Sequence, residues 1–161
     1  MAVTYNRAGV TRRLAFIAAA VLPDVTVTYG WPGENVATSC MWFGAPEGLS
    51  EPESLGFGKK LTQDRFSIPV ALSRAGFLTA EEAAEGVEEW LRLFDQTLRP
   101  LHCLQDTTGA VPHGATDEYR GVRSAVIGQV TGPGWNLPHP TQDSDVVGGV
   151  AFYIDCVTQL S

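Results

Sequence analysis

Positive charge is scarce in this chain: lysine and arginine number 11 against 18 aspartates and glutamates. The formal net charge of −7 opposes non-specific nucleic-acid binding, because phosphates are repelled at long range. It leaves room for a protein that surrounds DNA without gripping it. Cysteine is also scarce. Cys40, Cys103 and Cys156 form an odd, widely spaced set, which argues against a disulfide scaffold and fits free, mostly buried thiols in a reducing compartment. The histidines His102, His113 and His139 have no carboxylate or second histidine at helical or hairpin spacing. The paired ligands two to four residues apart that a zinc site wants are missing. No long apolar run occurs either. Leu14 to Leu22 spans nine residues, whereas a bilayer-spanning helix needs about 20.

That short run follows Thr11-Arg12-Arg13 and contains Ala18-Ala19-Ala20, so it can be read as a twin-arginine export signal. Its length favours a different expectation, a helix from about Arg7 to Leu22 that stops at Pro23. What the chain does have suits a single globular domain: 161 residues, 44% hydrophobic and 18% charged. A chain of that size buries roughly 70% of its unfolded surface without disulfides or metals. Disorder would need lower hydrophobicity and a higher charge density.

Val25-Thr26-Val27-Thr28-Tyr29 alternates with period two, placing Val25, Val27 and Tyr29 on one side. Gly30 to Asn35 reads as a turn cluster, and Val36 to Phe43 as the returning strand. Residues 44–62 read as a long polar loop with Pro46, Pro52 and four glycines. A third strand is expected over Asp64 to Leu72, with Phe66, Ile68, Val70 and Leu72 on one face. Pro69 inside it predicts an edge strand or a bulge. Thr79-Ala80-Glu81-Glu82 has the form of a capping box. The helix it opens places Ala83, Ala84, Val87, Trp90, Leu91, Phe94, Leu98 and Leu101 at core spacing. Glu81, Glu85, Glu88, Glu89 and Arg92 lie opposite, with Glu88 and Arg92 one turn apart in the favoured order. Residues 105–120 are polar and turn-rich. Val122 to Val130 is a fourth strand, residues 131–144 a second large loop, and Val146 to Gln159 the last strand. In that last strand Val150, Phe152, Ile154 and Cys156 face one way, and Ala151, Tyr153 and Asp155 the other. The order α-β-β-β-α-β-β predicts an α+β fold, a small mostly antiparallel sheet with two helices packed on one face. The other face is expected to be more polar or to meet another subunit.

Candidate chemistry is thin. Gly56-Phe57-Gly58-Lys59-Lys60 lacks the upstream glycine and the Ser/Thr of a phosphate loop, and no apolar strand precedes it. A basic loop tip is the reading. Asp143 and Asp145 could do acid–base work or bind calcium, but no third anchored ligand accompanies them. His113, Asp117 and Cys103 are the residues an enzymatic reading would use. Trp135, in a loop between Gly134 and Asn136, either folds back onto the domain or anchors a partner. Trp31 in the first turn cluster is ambiguous in the same way.

The ordering of elements resembles a tail terminator protein of long-tailed phages, of the kind found among phages of actinobacteria and also called minor tail or head–tail connector components. The resemblance spans nearly the whole chain. It rests on the N-terminal helix, the Val27-Thr28-Tyr29-Gly30-Trp31-Pro32-Gly33-Glu34 turn and the Trp42-Phe43-Gly44 strand end. It continues through Phe66-Ser67-Ile68-Pro69-Val70, the Thr79-Ala80-Glu81-Glu82-Ala83 helix and the terminal Phe152-Tyr153-Ile154-Asp155-Cys156-Val157 strand. Loops 44–62 and 131–144 match it poorly. It implies a virion protein, not an enzyme, with no cofactor or metal. Six copies would form a ring that caps the tail tube, ends its polymerisation and presents a surface to the neck. The expected partners are further copies, the tail tube protein and a neck or connector protein. DNA would pass through the lumen without specific binding, and no membrane is involved. Interface residues are expected among Trp31, Phe57, Lys59, Lys60, Trp135 and His139. The alternatives are a neck or tail-completion protein one layer higher, or a small acidic binding or inhibitor module.

Overall fold

The computed structural model describes residues 6–22, 24–30, 39–52, 62–101, 122–136 and 146–160. They form α1 (Arg7–Val21), β1 (Thr26–Tyr29), β2 (Ser39–Phe43), β3 (Glu47–Pro52), β4 (Thr62–Phe77), α2 (Ala80–Leu98), β5 (Val122–Asn136) and β6 (Val146–Leu160). The fold is α+β: one sheet in the order β1-β2-β4-β6-β5, with β3 also paired to β4 and both helices laid on one face.

Alternation decides which side each strand buries. Phe66, Ile68, Val70 and Leu72 of β4, and Val150, Phe152, Ile154 and Cys156 of β6, point to the helix side and are at most 4% exposed. Directly paired residues share a face, and Val70 sits opposite Phe152 and Ile68 opposite Ile154. Val10, Leu14, Ile17 and Leu22 from α1, and Val87, Trp90, Phe94 and Leu98 from α2, close the same core. Arg12 and Arg13 lie within α1, and Arg13 is itself buried, its guanidinium 5.7 Å from the centre of the Phe16 ring.

Four expectations need correcting. β2 does not return antiparallel to β1; the two run parallel, Thr26 opposite Cys40 and Tyr29 opposite Phe43. β3 lies inside the segment read as a loop, with Glu47 opposite Ser67 and Pro52 opposite Thr62. Its sequence, Glu-Gly-Leu-Ser-Glu-Pro, has no apolar alternation. The ladder offered by β4 makes it a strand, a tertiary effect that overrides weak propensity. β5 extends to Asn136, because irregularities between Ile127 and Val130 and between Thr131 and Gly134 absorb the extra residues. Gly132, at φ +112°, holds a backbone conformation that suits glycine, and the Gly132–Pro133 bond is cis. Finally, Pro69 is in neither an edge strand nor a bulge. β4 is central, and Pro69 falls where β2 ends at Phe43 and before β3 begins at Glu47. The Gly44 N–H donates to the Pro69 carbonyl at 2.7 Å, so the residue's backbone polar groups face that gap. The one bond a missing N–H forfeits there is the reciprocal one to the Gly44 carbonyl, at the very end of the β2 pairing.

Side-chain networks fix the helices. The Glu82 N–H donates to Thr79 Oγ1 at 3.2 Å, which is the cap foreseen. The Glu82 carboxylate reaches one residue further back than a capping box requires, accepting from the Leu78 N–H at 3.3 Å. Arg74 ties the end of β4 to α2. Its guanidinium donates to the Gly86 carbonyl at 2.9 Å, lies 3.7 Å from Glu89 and stacks 4.2 Å from the centre of the Trp90 ring. Arg7 clamps α1 to the sheet. It donates from Nε and Nη2 to the two oxygens of fully buried Asp64, at 2.9 and 2.6 Å, and to the Gly48 carbonyl at 3.1 Å. This is the bidentate fork for which arginine is suited.

Candidate assembly surface

With both helices on one side, the opposite face of the sheet has no helix over it among the described residues. Odd-numbered positions of β4 and β6 point there: Arg65, Ser67, Pro69 and Ala71 beside Val157, Asp155, Tyr153 and Ala151. Trp42 joins from β2, opposite Ala71, and Val126 from β5, opposite Asp155. Tyr153 is 37% and Val126 51% exposed. The face mixes apolar and polar groups.

Two shallow hollows flank Tyr153. One, about 380 Å³, is lined by Glu47, Gly48, Ser67, Gln129, Tyr153 and Asp155. Within it the Ser67 hydroxyl donates to Asp155 Oδ1 at 2.6 Å, across the β4–β6 ladder. Gly128 leaves the space this carboxylate occupies, since a Cβ there would stand 2.1 Å from Asp155 Oδ2. The other hollow, about 270 Å³, lies among Trp42, Pro69, Ala71, Thr131, Ala151 and Tyr153. Among the described residues no group of three or more His, Cys, Asp or Glu side chains is placed to hold a metal ion. No described helix is long and apolar enough to cross a membrane.

The sheet has two outer edges. Among the described residues no strand pairs with the far side of β1 or of β5. Each edge carries an exposed apolar side chain: Tyr29 on β1 at 53%, Val130 on β5 at 45%. Across the helix layer, Glu81, Glu82, Glu85, Glu88 and Glu89 line the exposed side of α2 as an acidic ridge. Among the described residues this helix makes the ion pairs Arg74–Glu89 and, one turn apart, Asp95–Arg99 at 2.8 Å.

The two described thiols, Cys40 and Cys156, are buried away from these surfaces. Cys156 is buried against the helices, and burial first, then the Asp155 carboxylate, push its pKa up to about 12. Burial also raises that of Cys40.

Of the residues expected at an interface, Trp31, Phe57, Lys59, Lys60 and His139 lie outside the described residues. So do His102, His113, Cys103, Asp117, Asp143 and Asp145. Trp135 is described by its backbone alone, which continues β5 opposite Gly148 instead of forming a loop. Whether the six come together is therefore a question outside the described residues. The structure draws attention to residues the sequence did not single out: Tyr29, Val126, Val130 and Tyr153. Tyr153 had a signal, since alternation in the last strand sets it opposite the core. For Tyr29 and Val130 the signal is three-dimensional, because exposure follows from standing on an outer strand.

The chain matches no protein-family model and no curated protein.

Proposed function

We propose that the protein is a structural subunit that assembles into a ring, the tail terminator of a long-tailed phage. It closes the end of the tail tube, stops further tube polymerisation and joins the tail to the neck. The observation that carries this reading is the sheet itself: one face left open by the helices and two outer strands tipped with exposed Tyr29 and Val130. Natural sheets blunt free edges with charge, proline or a covering element, and long apolar edges invite pairing. A ring needs two different, mutually complementary patches on each subunit, and a five-strand-wide sheet whose two outer edges are unpaired among the described residues offers them. The acidic balance fits a lumen through which DNA slides without adhering. In this role the protein works by docking, without making or breaking bonds and without a cofactor.

Light scattering with negative-stain imaging tests it. Closed rings, six-fold on this reading, are expected from the purified protein or on addition of tail tubes. A particle that stays monomeric with tubes present, or that turns over a substrate, overturns the proposal.

A further inference from the structure

The pairing register carries one line of residues straight across the helix-side face of the sheet. Tyr29 stands opposite Phe43, Phe43 opposite Val70, Val70 opposite Phe152, and Phe152 opposite Val130. The three inner members are at most 3% exposed, and the two end members are 53% and 45% exposed. The neighbouring line on the open face is Thr28, Trp42, Ala71, Ala151 and Thr131. Its two ends are both threonines. The core row thus ends in an apolar side chain at each edge, where a sheet that stops there would place charge or proline. From Ser124 to Val130, β5 carries no charged residue and no proline.

Strand direction adds a second constraint. β1 runs parallel to β2, β2 antiparallel to β4, and β4, β6 and β5 alternate antiparallel. It follows that β1 and β5 of one molecule point in opposite senses. A rotation about an axis along the strands preserves those senses. It would therefore bring β5 of one copy beside β1 of the next in antiparallel orientation, the more stable pairing.

We infer that the subunits join edge to edge, the outer side of β5 in one copy pairing antiparallel with β1 of the next, so that Val130 packs against Tyr29 and Thr131 lies beside Thr28. The two rows of five residues then continue from molecule to molecule, and neither edge stays open to a stray strand. The contact joins two different edges, so it propagates from copy to copy and closes into a ring when the rotation permits. This inference rests on the ring reading above but can fail separately from it.

Disulfide trapping reads the pairing directly. Facing residues of an antiparallel pair have Cα atoms about 4.5–5.5 Å apart, inside the range a disulfide bridges. In a Cys103→Ser background, with Cys40 and Cys156 buried, Thr28→Cys and Thr131→Cys are made singly and together and oxidised mildly. The double variant is expected to give a ladder of covalent oligomers ending at the ring. The two single variants mixed are expected to give dimers, and either one alone to stay uncrosslinked. Dimers from Thr131→Cys alone would mean a twofold β5–β5 contact and overturn the inference. Rings visible by imaging without crosslinks in the double variant would overturn it too, while leaving the ring reading intact. Crosslinked open filaments would uphold the edge pairing and end the ring reading. A monomer throughout ends both. Val130→Lys provides an independent check. It is expected to abolish the oligomer peak in light scattering with the circular dichroism spectrum unchanged; oligomers persisting in that variant would overturn the edge pairing.

Discussion

Arg7 and Asp64 show how unevenly a pair can share its cost. Asp64 is fully buried, whereas the Arg7 side chain is 25% exposed. Removing the arginine takes two charge-assisted hydrogen bonds from a carboxylate held away from water, and breaking a buried pair costs about 3–5 kcal/mol. Removing the acid leaves a guanidinium that can still reach solvent, so the loss is smaller. Arg7→Met should therefore lower unfolding stability by more than Asp64→Asn does, and urea denaturation of the two variants would show the order. Equal losses would mean that the Asp64 carboxylate is not left uncompensated when Arg7 is removed. Cys156 makes a second residue-scale prediction. Its pKa is raised from 9.0 to about 12 in the fold. Above pH 9 the unfolded chain releases this proton while the folded chain keeps it. Linkage then gives a stability that falls as pH rises, by up to about 1.4 kcal/mol per pH unit between those values. Replacing Cys156 with alanine, which does not ionise, should flatten that part of the stability–pH curve.

At the scale of elements, β6 and α2 approach each other closely at Gly148. A Cβ on Gly148 would stand 2.5 Å from the Ala83 carbonyl oxygen and 2.6 Å from Val87 Cγ2. The carbonyl is part of a helix and cannot turn aside. Gly148→Ala should cost about 1–3 kcal/mol, the range for forcing extra volume into a packed contact, and thermal melts would measure it. An unchanged midpoint would show that the helix can lift off the sheet. This contact also marks where sequence reading stops. Alternation placed Phe152 inside and Tyr153 outside, and helical spacing placed Val87, Trp90 and Phe94 inside, because each follows from neighbours a few residues away. The cap at Thr79 was legible for the same reason. The parallel pairing of β1 with β2 was not, since Gly30 to Asn35 carries turn residues whichever way the next strand runs. Glu47–Pro52 was illegible as a strand because its only strand signal is the partner it finds in β4. Pro69 misled because the rule against proline in central strands presumes a continuous neighbour, and here the neighbour changes from β2 to β3. Of the interface residues expected from loops, all but Trp135 lie outside the described residues, and loop composition carries no information about which surface meets which. Val130 and Tyr29 became candidates only once the register put them at opposite ends of one row.

At the scale of the whole molecule, association and charge oppose each other. Each copy carries a net charge of −7, so bringing copies together costs electrostatic work that salt screens, over a Debye length of about 10 Å at 0.1 M and 3 Å at 1 M. The proposed contact is apolar and backbone hydrogen-bonded, with no charge between Ser124 and Val130 to lose. Added salt should therefore strengthen assembly. An interface built from α2's glutamates against Arg65 or Arg123 of a neighbour would weaken instead. Association also shifts unfolding by mass action, because copies that bind one another only when folded stabilise the fold as concentration rises. The thermal midpoint of the wild-type protein should climb with protein concentration, and climb further in high salt. Val130→Lys should show a midpoint independent of concentration under both conditions. Calorimetric scans over a hundredfold concentration range, at low and high salt, separate the cases. A midpoint that rises with concentration but falls with salt would move the interface from the β-edges to the acidic helix.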